Sequence, residues 1–213
     1  MIPTATTQNW QIGTTPQILA NIHQEDTNIT IYERDIAHLQ EEMDALLRTP
    51  IEVRSSGSVE TICQELAQVV RPSKYPGMFQ DVQTLLLHFQ NVASSGKLRL
   101  LLATVATNMC RKFHTDVNNL RLLCTYRGPG TLWLPDDNVN RSALNSCGHA
   151  GCIAREEALI QQAATGAVVI LKGATYPYPG TQAVVHRSPS IENSGETRLL
   201  LRVDTEETIN LWT

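Results

Sequence analysis

The sequence predicts an α+β fold in which a double-stranded β-helix, the jelly-roll arrangement of two packed sheets, follows a helical N-terminal region. Apolar residues recur at helical spacing before the polar break Ser94-Ser95-Gly96, and they occur in short, turn-bounded runs after it. We therefore predict two regions, a mainly helical one over residues 1–96 that packs on a β-helix core over residues 97–213.

Three helices are predicted before the break, each from apolar residues three or four positions apart. Pro72 ends one of them and Pro50 follows another, since proline cannot continue a helix. The apolar stripes are Ile36, Leu39, Met43, Leu46 and Leu47; Ile62, Leu66, Val69 and Val70; and Phe79, Val82, Leu85, Leu86, Phe89 and Val92.

Six short strands are predicted after the break, because apolar runs alternate there with Gly/Pro turns such as Gly128-Pro129-Gly130. A helix is predicted over residues 156–164, between two of these strands. Packing two sheets face to face brings strand ends that are distant in sequence to one mouth, where several side chains can converge. The predicted strands are 98–107, 120–126, 131–134, 167–171, 182–186 and 198–203.

Composition is that of an ordinary globular protein, with 42% hydrophobic and 18% charged residues among 213. The net charge of −4 argues against a general nucleic-acid binder. Locally the balance reverses: Arg111, Lys112, Arg121 and Arg127 accompany a single acid, Asp116, between residues 111 and 133. Such a cationic stretch suits an anionic small molecule, although a solvated strand face explains any one of these residues equally well.

No stretch of the sequence approaches 18 consecutive apolar residues, and no basic segment followed by an apolar one opens it. We therefore expect a cytoplasmic protein that makes no membrane contact. The odd number of cysteines, five, favours reduced thiols in that compartment.

His114, Asp116 and His186 are the candidate metal ligands. Two imidazoles and one carboxylate in the order His-x-Asp…His match the 2-His-1-carboxylate facial triad of non-haem Fe(II), which leaves the opposite positions open. Residues two apart on a strand project to the same face, so His114 and Asp116 can reach one ion. A pair of polar turn residues is the alternative interpretation.

Arg198 and Arg202 follow the last histidine by 12 and 16 residues, and their spacing places both on one strand face. A guanidinium inside a small barrel is costly unless an anion pairs with it, and its fork matches a carboxylate in two bonds. A dicarboxylate cosubstrate explains the pair, whereas an arginine reaching out to solvent is the alternative for one of them.

With these residues the chain resembles the Fe(II)/2-oxoglutarate-dependent dioxygenase superfamily over roughly residues 97–204. The resemblance implies an oxygenase that couples oxidation of 2-oxoglutarate to succinate and CO2 with oxidation of a substrate C–H bond. It also implies that Arg198 anchors the 2-oxoglutarate tail carboxylate and that Arg202 makes a secondary contact. The substrate itself is not readable, and a small molecule is favoured over nucleic acid.

Three phrases resemble more closely an uncharacterised bacterial family, domain-of-unknown-function family 1826, over most of the chain. They are Phe113-His114-Thr115-Asp116, Thr125-Tyr126-Arg127-Gly128-Pro129-Gly130-Thr131 and His186-Arg187-Ser188-Pro189. Members are often encoded beside CobW-type metallochaperone GTPases, so the resemblance implies a link to metal homeostasis and such a GTPase as a partner.

Cys147, His149 and Cys152 place three soft ligands within six residues, which could hold zinc, although a closed structural site needs a fourth ligand. A glycine-rich loop without metal is the favoured interpretation. For the whole protein two alternatives to the oxygenase stay open: a cupin-like, zinc-linked accessory protein without oxygenase activity, and a structural jelly-roll whose histidines line a polar pocket.

Overall fold

The computed structural model describes residues 8–107, 109–144, 146, 150–178, 180–192 and 194–206. Its helices are α1 (Gln40–Leu46), α2 (Val59–Val69), α3 (Pro76–Ala93) and the single turn α4 (Ala150–Ile153), with shorter 3-10 turns between elements. Its strands are β1 (Trp10–Gly13), β2 (Ile29–Tyr32), β3 (Glu52–Gly57), β4 (Leu98–Val105), β5 (Leu120–Arg127), β6 (Leu132–Trp133), β7 (Gln161–Gln162), β8 (Val168–Lys172), β9 (His186–Arg187) and β10 (Arg198–Thr205).

Two sheets form the core. The large sheet has seven strands in the order β1-β2-β8-β5-β10-β4-β3, antiparallel throughout except for the β1–β2 pair. The small sheet has the order β7-β6-β9, and a bridge from His114 to His186 extends it by one segment. The protein therefore has the predicted α+β fold, with helices packed on a double-stranded β-helix core.

Strand β10 crosses the centre of the large sheet and separates two apolar clusters. Leu199, Leu201 and Val203 project to one face, where they join the buried side chains of α2 and α3. Leu200 projects to the other face, into a second cluster with Trp133 of the small sheet. This alternation with a period of two means that one strand closes the helix-covered core and lines the space between the sheets.

The N-terminal region contains the predicted helices but also three strands that the apolar spacing did not predict. Strands β1 and β2 pair with each other, β2 also pairs with β8, and β3 pairs with β4. The large sheet therefore contains strands from before and after residue 96. The two-region division at that residue stays a prediction. These strands are only four to six residues long and two of them lie at sheet edges, so their sequence signal is weak.

Two predictions for the second half were wrong. The helix over residues 156–164 is a 3-10 turn, Glu157–Leu159, followed by β7, where Gln162 pairs with Leu132. Of the strand over residues 182–186, only His186 lies in a strand. Both segments owe their conformation to pairing with β6, which is a tertiary contact. No helix in the described ranges has the length and apolar character that crossing a membrane requires.

Candidate metal centre

His114 and His186 are held face to face by backbone pairing. Each donates its backbone N–H to the carbonyl of the other, both at 3.0 Å, which places the two side chains on the same face of the bridge. Their ring centroids lie 4.6 Å apart. His186 also pairs with Trp133 through β9 and β6, so the small sheet fixes the position of both rings.

The side chains of His114, Asp116 and His186 converge as the sequence predicted. One ligand atom from each lies within 4.8 Å of the others, with 3.6 Å from His114 Nε2 to Asp116 Oδ1 and 3.3 Å from His186 Nε2 to Asp116 Oδ2. Two ligands at right angles, each about 2.1 Å from one ion, would be about 3 Å apart. The observed separations are near that value.

Both imidazoles present the same nitrogen to this point. His114 Nδ1 lies 3.0 Å from the carbonyl of Lys112, and His186 Nδ1 lies 3.2 Å from that of Val184. Since a carbonyl can only accept, each Nδ1 carries the proton and each Nε2 presents its lone pair. A ring N–H bound to a backbone carbonyl is the usual support of a metal-ligating histidine.

A metal ion fits this cluster because the cluster is unsatisfied on its own. Asp116 Oδ2 is buried and has no hydrogen-bond partner among the described residues. It faces the lone pair of His186 Nε2 at 3.3 Å, and two lone pairs at that distance repel unless a cation or proton lies between them. Two nitrogens and a carboxylate oxygen are a suitable donor set for a first-row divalent ion.

The charge states also suit metal binding. Burial lowers the pKa of His186 to about 4, so its ring is neutral near pH 7. Burial alone would raise the pKa of Asp116, but the two histidines and Arg121 lower it to about 2, so it is ionised. Interaction with Asp116 raises the pKa of His114, which makes this ring the ligand that a proton competes for most strongly.

Arg121 holds the carboxylate ligand in place, a role that sequence analysis missed. Its Nη1 lies 2.5 Å from Asp116 Oδ1, and its Nε donates to Asp204 Oδ1 at 2.5 Å. Asn118 donates to the same oxygen of Asp204 at 2.9 Å. The available signal was opposite charge on two strands that are otherwise rich in leucine, Arg121 in β5 and Asp204 in β10.

Arg198 is a buried cation that forms no ion pair with any described residue. Its side chain is 1% exposed, Nη2 donates to Thr125 Oγ1 at 2.9 Å, and Nε has no hydrogen-bond partner among the described residues. Burial lowers its pKa to about 10, with no compensating carboxylate. Gly128, at φ +80°, makes room for it, because a Cβ there would lie 3.0 Å from Arg198 Cγ. Thr125 and Gly128 are further contacts that sequence analysis missed.

One cavity contains both features. A cavity of about 50 Å³ lies among side chains that include His114, His186, Arg198, Arg202, Thr131 and Leu200. This volume is well below the roughly 300–1,000 Å³ of small-molecule sites, so a cosubstrate that entered it would have to displace lining side chains. Arg202 lies at the rim: it is 32% exposed, and its Nε is 3.3 Å from Asp204 Oδ2. The described structure therefore brings all five predicted metal and anion residues to one region.

The second candidate metal site was the loop that contains Cys147, His149 and Cys152. Of these three residues the structure describes only Cys152, which does not line the cavity. Cys147 and His149 lie outside the described residues, so the metal-free loop stays a prediction and zinc binding stays its alternative. Cys152 is disulfide-bonded, which departs from the expectation of reduced thiols. Since a thiolate is the sulfur species that binds metal, Cys152 would have to be reduced before it could serve as a ligand.

Comparisons with known proteins agree with this fold. The family model described as "Protein of unknown function (DUF1826)" matches residues 13–204. Dioxygenase for auxin oxidation 1 from Arabidopsis thaliana, solved with 2-oxoglutarate, is similar with a TM-score of 0.55 and 10% identity, covering 95% of this chain and 94% of that one. No curated protein matches in sequence.

Two further solved structures are similar at lower scores. A prolyl-4-hydroxylase from Pseudomonas putida has a TM-score of 0.47 and 9% identity, covering 90% of this chain and 98% of that one. A putative oxygenase from Shewanella oneidensis has a TM-score of 0.42 and 12% identity, covering 92% and 89%. At such identities the similarity concerns the fold.

Proposed function

We propose that this chain, which belongs to the DUF1826 family, is a non-haem Fe(II), 2-oxoglutarate-dependent oxygenase that acts on a small molecule. The observation that carries the proposal is the buried Arg198, which has no ion-pair partner among the described residues and shares a cavity with His114 and His186 of the cluster. A metal centre alone needs no such cation. A cosubstrate that binds metal at one end and carries a carboxylate at the other accounts for both.

The chain's residues would divide the work as follows. His114, Asp116 and His186 would hold Fe(II) on one side and leave its other positions free. Arg198, held by its hydrogen bond to Thr125, would pair with the distal carboxylate of 2-oxoglutarate and so orient it, because the guanidinium fork can donate to two carboxylate oxygens at once. Leu200 and Leu123 line the cavity and would exclude water from it.

The bound iron would supply the redox chemistry: a substrate R–H, 2-oxoglutarate and O2 give R–OH, succinate and CO2. Arg121 would keep Asp116 ionised and correctly turned through its 2.5 Å contact, while Asp204 holds Arg121. These residues touch the ligand, not the reacting atoms, and so are positioning residues.

The proposal is tested on anaerobic protein loaded with Fe(II). Addition of 2-oxoglutarate should produce a weak visible charge-transfer band, and air should then yield succinate. Arg198→Ala should keep the metal content and weaken 2-oxoglutarate binding about ten- to a hundredfold, since a charge-assisted pair contributes about 1.5–3 kcal/mol. Arg198→Lys should recover part of the loss, because an ammonium cannot reproduce the fork. Asp116→Ala should lose the band with the metal.

Other outcomes would redirect the assignment. Equal 2-oxoglutarate affinity in the parent and Arg198→Ala would contradict the anchor and make Arg202 the next candidate. Zinc retention with no response to iron and 2-oxoglutarate would instead favour a metal-binding accessory protein. A CobW-type GTPase partner stays a prediction, which co-purification of the two proteins would test.

A further inference from the structure

The face of the large sheet that carries the metal cavity continues past β10 as an arginine-rich surface. Arg202 pairs with Leu101 of β4, and Leu101 pairs with Arg54 of β3. In the next cross-strand row, Arg99 lies between Asp204 and Ser56. Directly opposed residues of an antiparallel sheet project to the same face, so three arginines share the face of the cavity.

These arginines line an open groove of about 480 Å³ beside the cavity. We call it the arginine groove and define it by Arg54, Ser56, Arg99, Leu101 and Arg202. Arg202 also lines the metal cavity, so a molecule lying in the groove would be next to the metal centre. Strand β3 is the last strand of the sheet, which leaves this side open to solvent.

Carboxylates of the protein pair with the arginines of the groove only in part. Glu65 also lines the groove, but in the described part of the chain it forms no ion pair with these arginines. Arg54 pairs with Glu52 at 2.6 Å, but both side chains are more than half exposed. Arg202 has only a 3.3 Å contact with Asp204, which already accepts from Arg121 and Asn118. Arg99 has no ion-pair partner in the part of the chain that the structure describes. Burial lowers the pKa of Arg202, and the nearby charges of Arg121 and Arg54 lower it further.

We propose that the arginine groove binds an oxyanion group of the substrate, a carboxylate or a phosphate, and so holds the rest of the substrate over the metal cavity. The inference rests on the proposed function for the identity of the ligand as substrate. Several guanidinium groups on one face repel one another and are stabilised together by an anion. Charged side chains on an edge strand also discourage aggregation, and that role alone would require no ligand.

The experiment measures anion binding by calorimetry at low ionic strength, on metal-loaded protein with 2-oxoglutarate in excess to fill the cavity. Glycerol 3-phosphate is the phosphate probe and propane-1,2,3-tricarboxylate is the carboxylate probe. The test variant is Arg54→Gln/Arg99→Gln, which leaves the metal and cofactor residues intact. Arg155→Gln, an exposed arginine of another loop, is the matched control.

We expect at least one probe to bind to the parent and the control alike, and about tenfold or more weakly to the double variant. The stronger probe identifies the oxyanion. Binding of neither probe, or equal binding to the double variant, would overturn the inference. The charge-transfer band with 2-oxoglutarate should be unchanged in every variant; its absence from the parent would count against the proposed function, whereas the anion titration reports on the groove.

Discussion

The two faces of strand β10 differ in chemistry although they belong to the same eight residues. On the helix side, Leu199, Leu201 and Val203 are each 0% exposed and touch apolar neighbours. On the cavity side, Arg198 and Asp204 are almost as deeply buried, yet one is an unpaired cation and the other a shared anion. The two faces are therefore buried to a similar extent, but one buries apolar side chains and the other buries charged groups.

The two faces differ in how their burial affects the free energy of folding. Apolar burial on the helix side contributes about 1.5–3 kcal/mol per large side chain. A buried guanidinium without a counter-ion costs free energy, and so does a carboxylate oxygen facing a lone pair. A ligand that satisfies such groups would offset this cost, which is why we propose the cavity side as the binding face.

The largest effect is expected on protein stability, from a substitution on the face of β10 that packs against the helices. Leu201→Ala removes a fully buried side chain and should lower the free energy of unfolding by about 2–5 kcal/mol, because a cavity remains in the close-packed cluster. Chemical denaturation measures this loss. Metal affinity, determined at a temperature where the variant is folded, should stay within about threefold of the parent; a larger change would mean that the two faces are not independent.

A smaller effect concerns pH on the cavity side. The pKa of His114 is raised while that of His186 is lowered to about 4 and that of Asp116 to about 2, so His114 alone gains a proton on mild acidification. Because the protonated ring cannot bind metal, apparent metal affinity should fall about tenfold per pH unit below the pKa of His114. Metal titrations from pH 8 to pH 5 measure the slope, and a flat profile would contradict His114 as a ligand.

The smallest effect is expected at Val117, which follows the carboxylate ligand but is 82% exposed. Val117→Ser should change the free energy of unfolding by less than about 0.5 kcal/mol, since no apolar contact is lost. Metal affinity should also remain that of the parent. Thermal melting with and without metal tests both statements. A strong loss of metal binding would mean that this side chain orients Asp116.

The local sequence pattern correctly predicted an element wherever apolar residues recurred regularly over a long segment. The stripe around Phe79 and Phe89 became α3, and the alternation of Arg198 with Leu199 and Leu201 correctly placed Arg198 opposite the helix-covered core. The ligand types and their order also identified the metal-binding candidates, because few residue sets suit a divalent ion with open positions.

Strand pairing and contacts between residues distant in sequence could not be predicted from local patterns. Strands β1, β2 and β3 are short and exist through pairing with β8 and β4, which follow much later in the chain. The link from Asp116 through Arg121 to Asp204 spans 88 residues of sequence, and the pairing of β5 with β10 brings its members together. The sequence by itself determined which residues were candidates, since periodicity and ligand chemistry are local properties. Only the packing of two sheets determined that Arg198 shares one cavity with the two histidines of the cluster, because convergence depends on long-range strand register.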